Sequence, residues 1–280
     1  MLFYINLIIE NKYLRINLAE PNISEHNIVR LDPHNIITKD NKLIEAKYTL
    51  TKSEAQLIFT VISQIDPIKD DEFKSYRINV DEFMKFMNIR TKDAFGRIET
   101  VVDRLQQNIL KIKTDPNSTK YTKVGWIMAA EYNPSKREIY LKLHNDLKPF
   151  LLGLKERFTS YRLEYVIALR SIFSIRLYEL LKQYENSKYR MRYITIEELK
   201  DRLEIKGNYK TYGMFKKRIL IVAKEEINRK TDINFDFVEI TNNKEKEKGR
   251  KKIIGLKLCI DAKNKIEDNI SLETENKILK

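Results

Sequence analysis

An internal duplication limits what this chain can fold into more than any other feature. Ser75–Ile89 reads SYRINVDEFMKFMNI, and Tyr189–Ile205, which ends RYITIEELKDRLEI, repeats it about 116 positions later. Ile78 answers to Ile194, Val80 to Ile196, Glu82 to Glu198, Phe83 to Leu199, Met87 to Leu203 and Ile89 to Ile205. In each copy a short alternating strand runs into an acidic helix start, where carboxylates suit the positive end of the helix dipole. A turn follows, Arg90–Asp93 in the first copy and Lys206–Lys210 with Gly207 in the second. The period is far too long for a solenoid, so the chain reads as a tandem of two domains.

The surroundings of the two copies agree. A longer amphipathic helix follows each turn. It carries Ile98, Val101, Val102, Leu105 and Ile109 in the first copy, and Phe215, Ile219, Val222, Ala223 and Ile227 in the second, both at the three-and-four spacing of one buried stripe. Then comes a hairpin pattern. In the first copy Val124, Trp126, Met128 and Ala130 alternate, followed after Asn133-Pro134 by Ile139, Leu141 and Leu143. In the second copy Ile233, Phe235 and Phe237 lead through the polar loop Thr241–Arg250 to Ile254, Leu256, Leu258 and Ile260. A helix precedes each copy: Thr51–Ile65, with a capping-box pattern at Thr51 and Glu54, and Leu163–Tyr184. The order helix, strand, helix, turn, helix, hairpin is a winged helix-turn-helix. The expected fold is α+β, tandem duplicated winged helix-turn-helix domains. The division is residues 1–27 leader, 28–152 first domain, 153–262 second domain and 263–280 tail, with Lys148–Gly153 as the junction.

Charge separates the copies. The chain carries 53 Lys+Arg against 40 Asp+Glu, a formal net charge of +13. Residues 1–60 hold seven cations and seven anions, whereas residues 155–230 hold 19 cations and 10 anions. A basic folded segment attracts a polyanion, most often nucleic acid. In a helix-turn-helix the second helix enters the major groove with its N-terminal residues at base edges. Here that helix runs roughly Thr211–Arg229. Lys217 lies about 200° round from Phe215 and points away from the core, flanked by Lys216 and Arg218, which suit phosphates. The preceding turn adds Tyr209, Lys210, Thr211 and Tyr212. The hairpin tip Lys244–Lys252, with Arg250 and Lys251, is placed for the adjacent backbone or minor groove. The corresponding helix of the first copy offers Lys92, Arg97 and Arg104, diluted by Asp93, Glu99 and Asp103, and reads equally as a DNA contact or as a structural or dimerising element.

Other chemistry is not written in the chain. A single cysteine, Cys259, gives no intrachain disulfide framework and no cysteine-based zinc site, which fits a reducing cytoplasm. Met1–Ile9 is apolar, but Lys12 and Arg15 follow it, and it is far short of a membrane span. None of the seven glycines forms G-x-x-x-x-G-K-[ST]. His26, His34 and His144 form no His-x-His pair, so the metal site of a rolling-circle nickase is missing and the tyrosines read as core or interface. His144 and Trp126 read as structural, and the acidic loop Asp70–Glu72 has no supporting ligand set. No enzyme activity, metal or cofactor is expected.

At these residues the chain resembles the plasmid replication initiators with two winged helices, which bind repeated origin sites called iterons. The resemblance covers about residues 28–260. It rests on Tyr48–Ile65 (YTLTKSEAQLIFTVISQI), Phe158–Tyr184 (FTSYRLEYVIALRSIFSIRLYELLKQY) and, most strongly, Tyr209–Ile240 (YKTYGMFKKRILIVAKEEINRKTDINFDFVEI). It implies monomers on tandem iterons, opening of an adjacent A·T-rich segment, and recruitment of the host helicase and host initiator. It also implies dimers formed through the first domain that repress their own gene, in the bacterial cytoplasm with no membrane partner. The family's recognition positions fall on Lys210, Thr211, Met214, Lys217 and Arg218. Met214 departs from the pattern, since an apolar side chain can touch a thymine methyl but cannot hydrogen-bond a base edge. The bland alternative is a winged-helix transcription regulator with no replication role.

Overall fold

The structure is a computed structural model that describes residues 26–113, 115, 118–242 and 252–263. The leader, the hairpin tip with Arg250 and Lys251, and the tail beyond Lys263 lie outside the described residues. In chain order the first half holds β1 (His26–Ile28), β2 (Ile36–Asp40), α1 (Asn41–Ile44), α2 (Lys52–Ile62), β3 (Ser75–Asn79), α3 (Val80–Phe86) and α4 (Ala94–Gln107). There follow β4 (Ile109–Ile112), β5 (Thr122–Gly125), β6 (Ile127–Asn133), β7 (Glu138–Leu143) and α5 (Lys148–Leu151). The second half holds β8 (Phe158–Arg162), α6 (Leu163–Ala168), α7 (Ile172–Lys182), β9 (Met191–Thr195) and α8 (Ile196–Arg202). It ends with α9 (Tyr212–Phe215), a π-helical turn (Lys216–Leu220), α10 (Ile221–Lys230), β10 (Ile233–Thr241) and β11 (Ile253–Ala262).

The duplication is reproduced down to the helix caps. Asn79 and Thr195 each accept the backbone N–H three residues on, at 3.0 Å from Glu82 and 3.0 Å from Glu198. Such a cap satisfies one of the free donors at a helix start. Both short helices end in a left-handed residue, Asn88 at φ 53° and Glu204 at φ 52°. The next N–H closes back across the helix end, Ile89 to the Met84 carbonyl at 2.8 Å and Ile205 to the Lys200 carbonyl at 2.9 Å. This is the closure that turns the chain sharply out of a helix. In both halves the strand ahead of the helix pair bonds to the second strand of the hairpin, with Ile78 opposite Ile139 and Ile194 opposite Leu256. The sheet orders are β1-β3-β7-β6 and β10-β11-β9.

Several sequence expectations change in detail. The helix expected over Leu163–Tyr184 breaks into α6 and α7, because Ser171 caps a new start and the Glu226 carboxylate accepts the N–H groups of Arg170 and Ser171 at 3.2 Å. Ile109 leaves the α4 stripe: Asn108 turns extended, and Ile109 starts β4 with its side chain 45% exposed. The strand expected through Val124–Ala130 divides at Trp126. β5 pairs with β4 while β6 joins β7 through a register shift, so Ile127 is buried and Met128 is outside. The helix expected to run to Ile65 stops at Ile62, with its Thr51–Glu54 capping box formed. Ile254 is the residue skipped at a shift between Thr241↔Ile253 and Ile240↔Gly255, and it is exposed.

The two halves are not beads on a string. Their lead-in strands pair with each other, β2 antiparallel to β8. At this seam the fully buried Lys39 donates to Glu179 at 2.7 Å. Tyr161 also donates to Glu179, while Arg176 of α7 reaches the Ala46 carbonyl at 2.7 Å and stacks over the Tyr48 ring. Burial pulls the Lys39 ammonium down to about 8 against the opposing pull of Glu179. Burial would raise the Glu179 carboxyl, but Lys39 and Arg176 hold it below its ordinary value. Another side of α7 serves the second half, where Tyr178 donates to Asp232 at 2.9 Å. A second clasp centres on Glu45, which takes a two-pronged contact from Arg192 at 2.6 and 3.1 Å, a contact from Arg202, and Gln183 at 3.0 Å.

Candidate nucleic-acid interface

α8 and the rod formed by α9, the π turn and α10 are the helix pair of the second half. After Glu204 the turn bends again at Gly207, with φ 93°, and at Tyr209, with φ 55°. Lys200 fixes that turn by donating to the Tyr209 carbonyl at 2.9 Å. Thr211 then caps the rod, its Oγ1 accepting the Met214 N–H at 3.3 Å. Phe215 is fully buried, with Tyr209 packed at 6.4 Å between ring centres. Burying a ring of this size stabilises the rod's attachment by about 1.5–3 kcal/mol. Tyr209 therefore sits half-buried as a buttress of the turn.

The π turn changes which side of the rod faces the core. It adds a residue to one turn, so the buried line runs Phe215, Ile219 and Leu220, Ala223, Glu226 and Ile227. Val222, expected in the stripe, is exposed, and Leu220 is buried instead. The opposite face carries Thr211, Met214, Lys217 and Arg218, all exposed, with Lys210 exposed just before it. Met214 is 43% exposed. Lys217 and Arg218 make no hydrogen bond or ion pair among the described residues, so both cations remain available to an incoming anion.

Two lysines of the rod are instead drawn to β10. Lys216 meets Glu239 at 2.8 Å, and Tyr212 donates to the same carboxylate at 2.7 Å. Lys224 meets Asp236 at 2.6 Å. Burial first, and the Glu239 charge with it, raise the Tyr212 hydroxyl well above its ordinary value, so it stays a donor. Sequence reasoning missed both carboxylates. The only signal was that Tyr212 and Lys216, four apart, share one side of the helix. Between α8, the start of the rod and the wing strands lies an open groove of about 1140 Å³, whose walls include Thr195, Lys200, Lys210, Thr211, Lys216 and Glu239.

The first half repeats the geometry with a different charge pattern. Lys92 is exposed in the turn before α4 and Arg97 is exposed on its first turn, where Asp93 caps the helix through the Gly96 N–H at 2.9 Å. Exposed Glu99 lies two positions from Arg97, about 200° round the helix and in line with Asp103, which accepts from Tyr132 at 3.1 Å. Lys92 and Arg97 thus belong to the other winged unit and are not gathered with the second-half residues. Elsewhere, Trp126 is fully buried and packs edge-on against Tyr48, and His144 accepts the Asp146 N–H to cap a short turn. Among the described residues there is no group of three or more His, Cys, Asp or Glu placed to hold a metal ion.

Residues 36–182 match the family described as initiator replication protein, WH1, and residues 195–260 match initiator Rep protein, WH2. The chain belongs to the plasmid replication initiator family. Its two winged units correspond to the family's WH1 and WH2, whose matches end at residue 182 and begin at residue 195. α7 lies within the first match and makes contacts in both halves. Among curated initiators, a replication initiation protein of Escherichia coli is 25% identical over 199 residues, covering 69% of this chain and 62% of its own. The PI protein of Escherichia coli is 31% identical over 137 residues, 44% of each chain. This chain therefore spans less than two thirds of the length of either relative. Among solved structures, the Pi initiator protein in complex with iteron DNA has a similar fold, with TM-score 0.66 at 20% identity, covering 84% of this chain and 99% of that one.

Proposed function

We propose that this chain initiates plasmid replication by binding repeated origin DNA, the iterons, sequence-specifically through its second winged unit. The observation that carries the reading is the exposed face of the recognition rod, where Lys210, Thr211, Met214, Lys217 and Arg218 stand together and Lys217 and Arg218 have no partner among the described residues. Lys217 and Met214 meet base edges, Arg218 and Lys210 meet phosphates, and the wing tip with Arg250 and Lys251 tracks the neighbouring backbone. The Pi initiator, solved in complex with iteron DNA, shares this fold, which supports the DNA reading.

In this reading the protein acts without catalysis or cofactor, in the bacterial cytoplasm. It opens an adjacent A·T-rich segment and recruits the host helicase and host initiator. The first unit supplies an auxiliary DNA contact through Lys92 and Arg97 and the contact for dimers, which repress the gene. Among the described residues no helix is long and apolar enough to cross a membrane. The test is gel-shift binding to fragments of the protein's own locus, together with origin activity of that locus. Preferential binding to direct repeats of about 20 bp supports initiation. Binding only to a single inverted repeat at a promoter, with no origin activity, would instead make the protein a transcription regulator.

A further inference from the structure

Tyr212 and Lys216 lie one turn apart on the side of the rod that faces β10, and both end on one carboxylate. Glu239 takes Lys216 at 2.8 Å and the Tyr212 hydroxyl at 2.7 Å. That carboxylate stands in the groove wall beside Lys200, Lys210 and Lys252, with Glu197 as the other acid lining the groove. An anion on a surface meant for a polyanion opposes binding by simple Coulomb repulsion. Its cost is local, however, because Glu239 first cancels one specific cation. Lys216 and Glu239 are both partly exposed, with side chains 41% and 32% accessible. A partly exposed ion pair of this kind is weak, and a phosphate brought alongside can replace the carboxylate.

We propose that Glu239 is a positioning residue that sets DNA specificity: it holds the first turn of the rod and masks Lys216, so that Lys216 engages a phosphate only when a duplex seats fully in the groove. The inference rests on the reading that this rod binds DNA. An arbitrary duplex, meeting the surface loosely, finds one cation fewer. A cognate duplex, drawn in by the base contacts of Lys217 and its neighbours, brings a phosphate close enough to displace Glu239. Asp236 does the same for Lys224 further along the rod, but that pair lies beyond the groove and away from the N-terminal turn where bases are read.

The test uses the full chain as wild type, Glu239→Gln, Glu239→Asp, Lys216→Gln and the Glu239→Gln/Lys216→Gln double variant. Dissociation constants are measured across a salt series on two duplexes of equal length, the best-bound fragment of the protein's own locus and an unrelated sequence. Glu239→Gln is expected to tighten the unrelated duplex about five- to tenfold near 0.1 M salt and to steepen its salt slope by roughly 0.9, one phosphate contact. Cognate binding changes less, so the specificity ratio falls. Glu239→Asp, which keeps the charge, retains the wild-type slope. In the Lys216→Gln background the Glu239→Gln effect shrinks to less than about twofold, since the masked cation is gone. An unchanged slope, equal weakening on both duplexes, or an effect of the same size without Lys216 overturns the proposal. Failure of the wild type to prefer any fragment of its locus over the unrelated duplex overturns the DNA reading itself, and this inference with it.

Discussion

Replacing Glu179 by Gln removes the anion from the seam between the two winged units without changing its shape. Two cations lose their counter-charge. Lys39 lies 2.7 Å from Glu179 and is fully buried, and Arg176 lies 3.5 Å away with its side chain 3% exposed. Arg176 cannot escape by losing a proton, and stranding a buried charge costs about 3–5 kcal/mol. Lys39 can escape, because burial already brings it down to about 8. Without Glu179 its folded value falls further. The unfolded chain, with lysine near 10.4, then holds the proton that the folded variant gives up, so stability of the variant rises with pH. In the wild type the same rise begins only above about 8. The loss caused by Glu179→Gln is therefore largest in mild acid. It shrinks by roughly 1 kcal/mol per pH unit toward pH 8 and is level above it. Urea unfolding followed by circular dichroism at a series of pH values measures this, and Lys39→Met in the variant background should recover part of the loss. A loss under about 1 kcal/mol at neutral pH, or a loss that neither depends on pH nor responds to Lys39→Met, refutes the account of the seam as a charge-balanced cluster.

Other substitutions test the interface and its support. Lys217→Ala should lower discrimination between cognate and altered sites by about 1–3 kcal/mol, read from competition with single-base variants of the site; unaltered discrimination would mean that Lys217 meets no base. Arg218→Ala should weaken binding to all duplexes alike and flatten the salt slope by roughly one unit, and an unchanged slope would remove it from the phosphate contacts. Thr211→Ala removes the cap at the start of the rod and should cost about 1 kcal/mol of stability in thermal unfolding, with a larger proportional loss of DNA affinity because the reading face begins at that turn. Glu45→Ala leaves Arg192 and Arg202 facing each other at the second clasp and should lower the urea midpoint by the equivalent of about 2 kcal/mol, with no effect if the clasp is only a surface pair.

Much of the architecture was legible because it is local and repeated. The repeated order of strand and helix, the acidic starts of α3 and α8, and the stripes on α4 and the rod all depend on neighbours within a turn or two. Their chemistry is therefore visible in a sequence window. The errors fall where distant groups decide. Val222 and Leu220 exchange places because a π turn, which no residue spacing announces, rephases the rod. The helix over 163–184 breaks because Glu226, more than fifty positions away, offers its carboxylate to the N–H groups of Arg170 and Ser171. Met128 turns outward because β5 finds a partner in β4. For the site, the exposed Lys217 and Arg218 followed from helix geometry alone, whereas the pairing of Lys216 with Glu239 depends on how the wing packs against the rod.

The sequence by itself determined the winged units, their order and the concentration of positive charge in the second, because periodicity, capping and composition are properties of contiguous residues. The tertiary structure alone decided which of those charges remain available. Arg176 is spent on the buried seam, and Lys216 and Lys224 are taken by β10. Lys217 and Arg218 are left without an ion pair among the described residues because both stand exposed on the side of the rod away from its buried line. An ion pair is set by side chains a few ångströms apart, and only the folded chain brings residue 216 to residue 239.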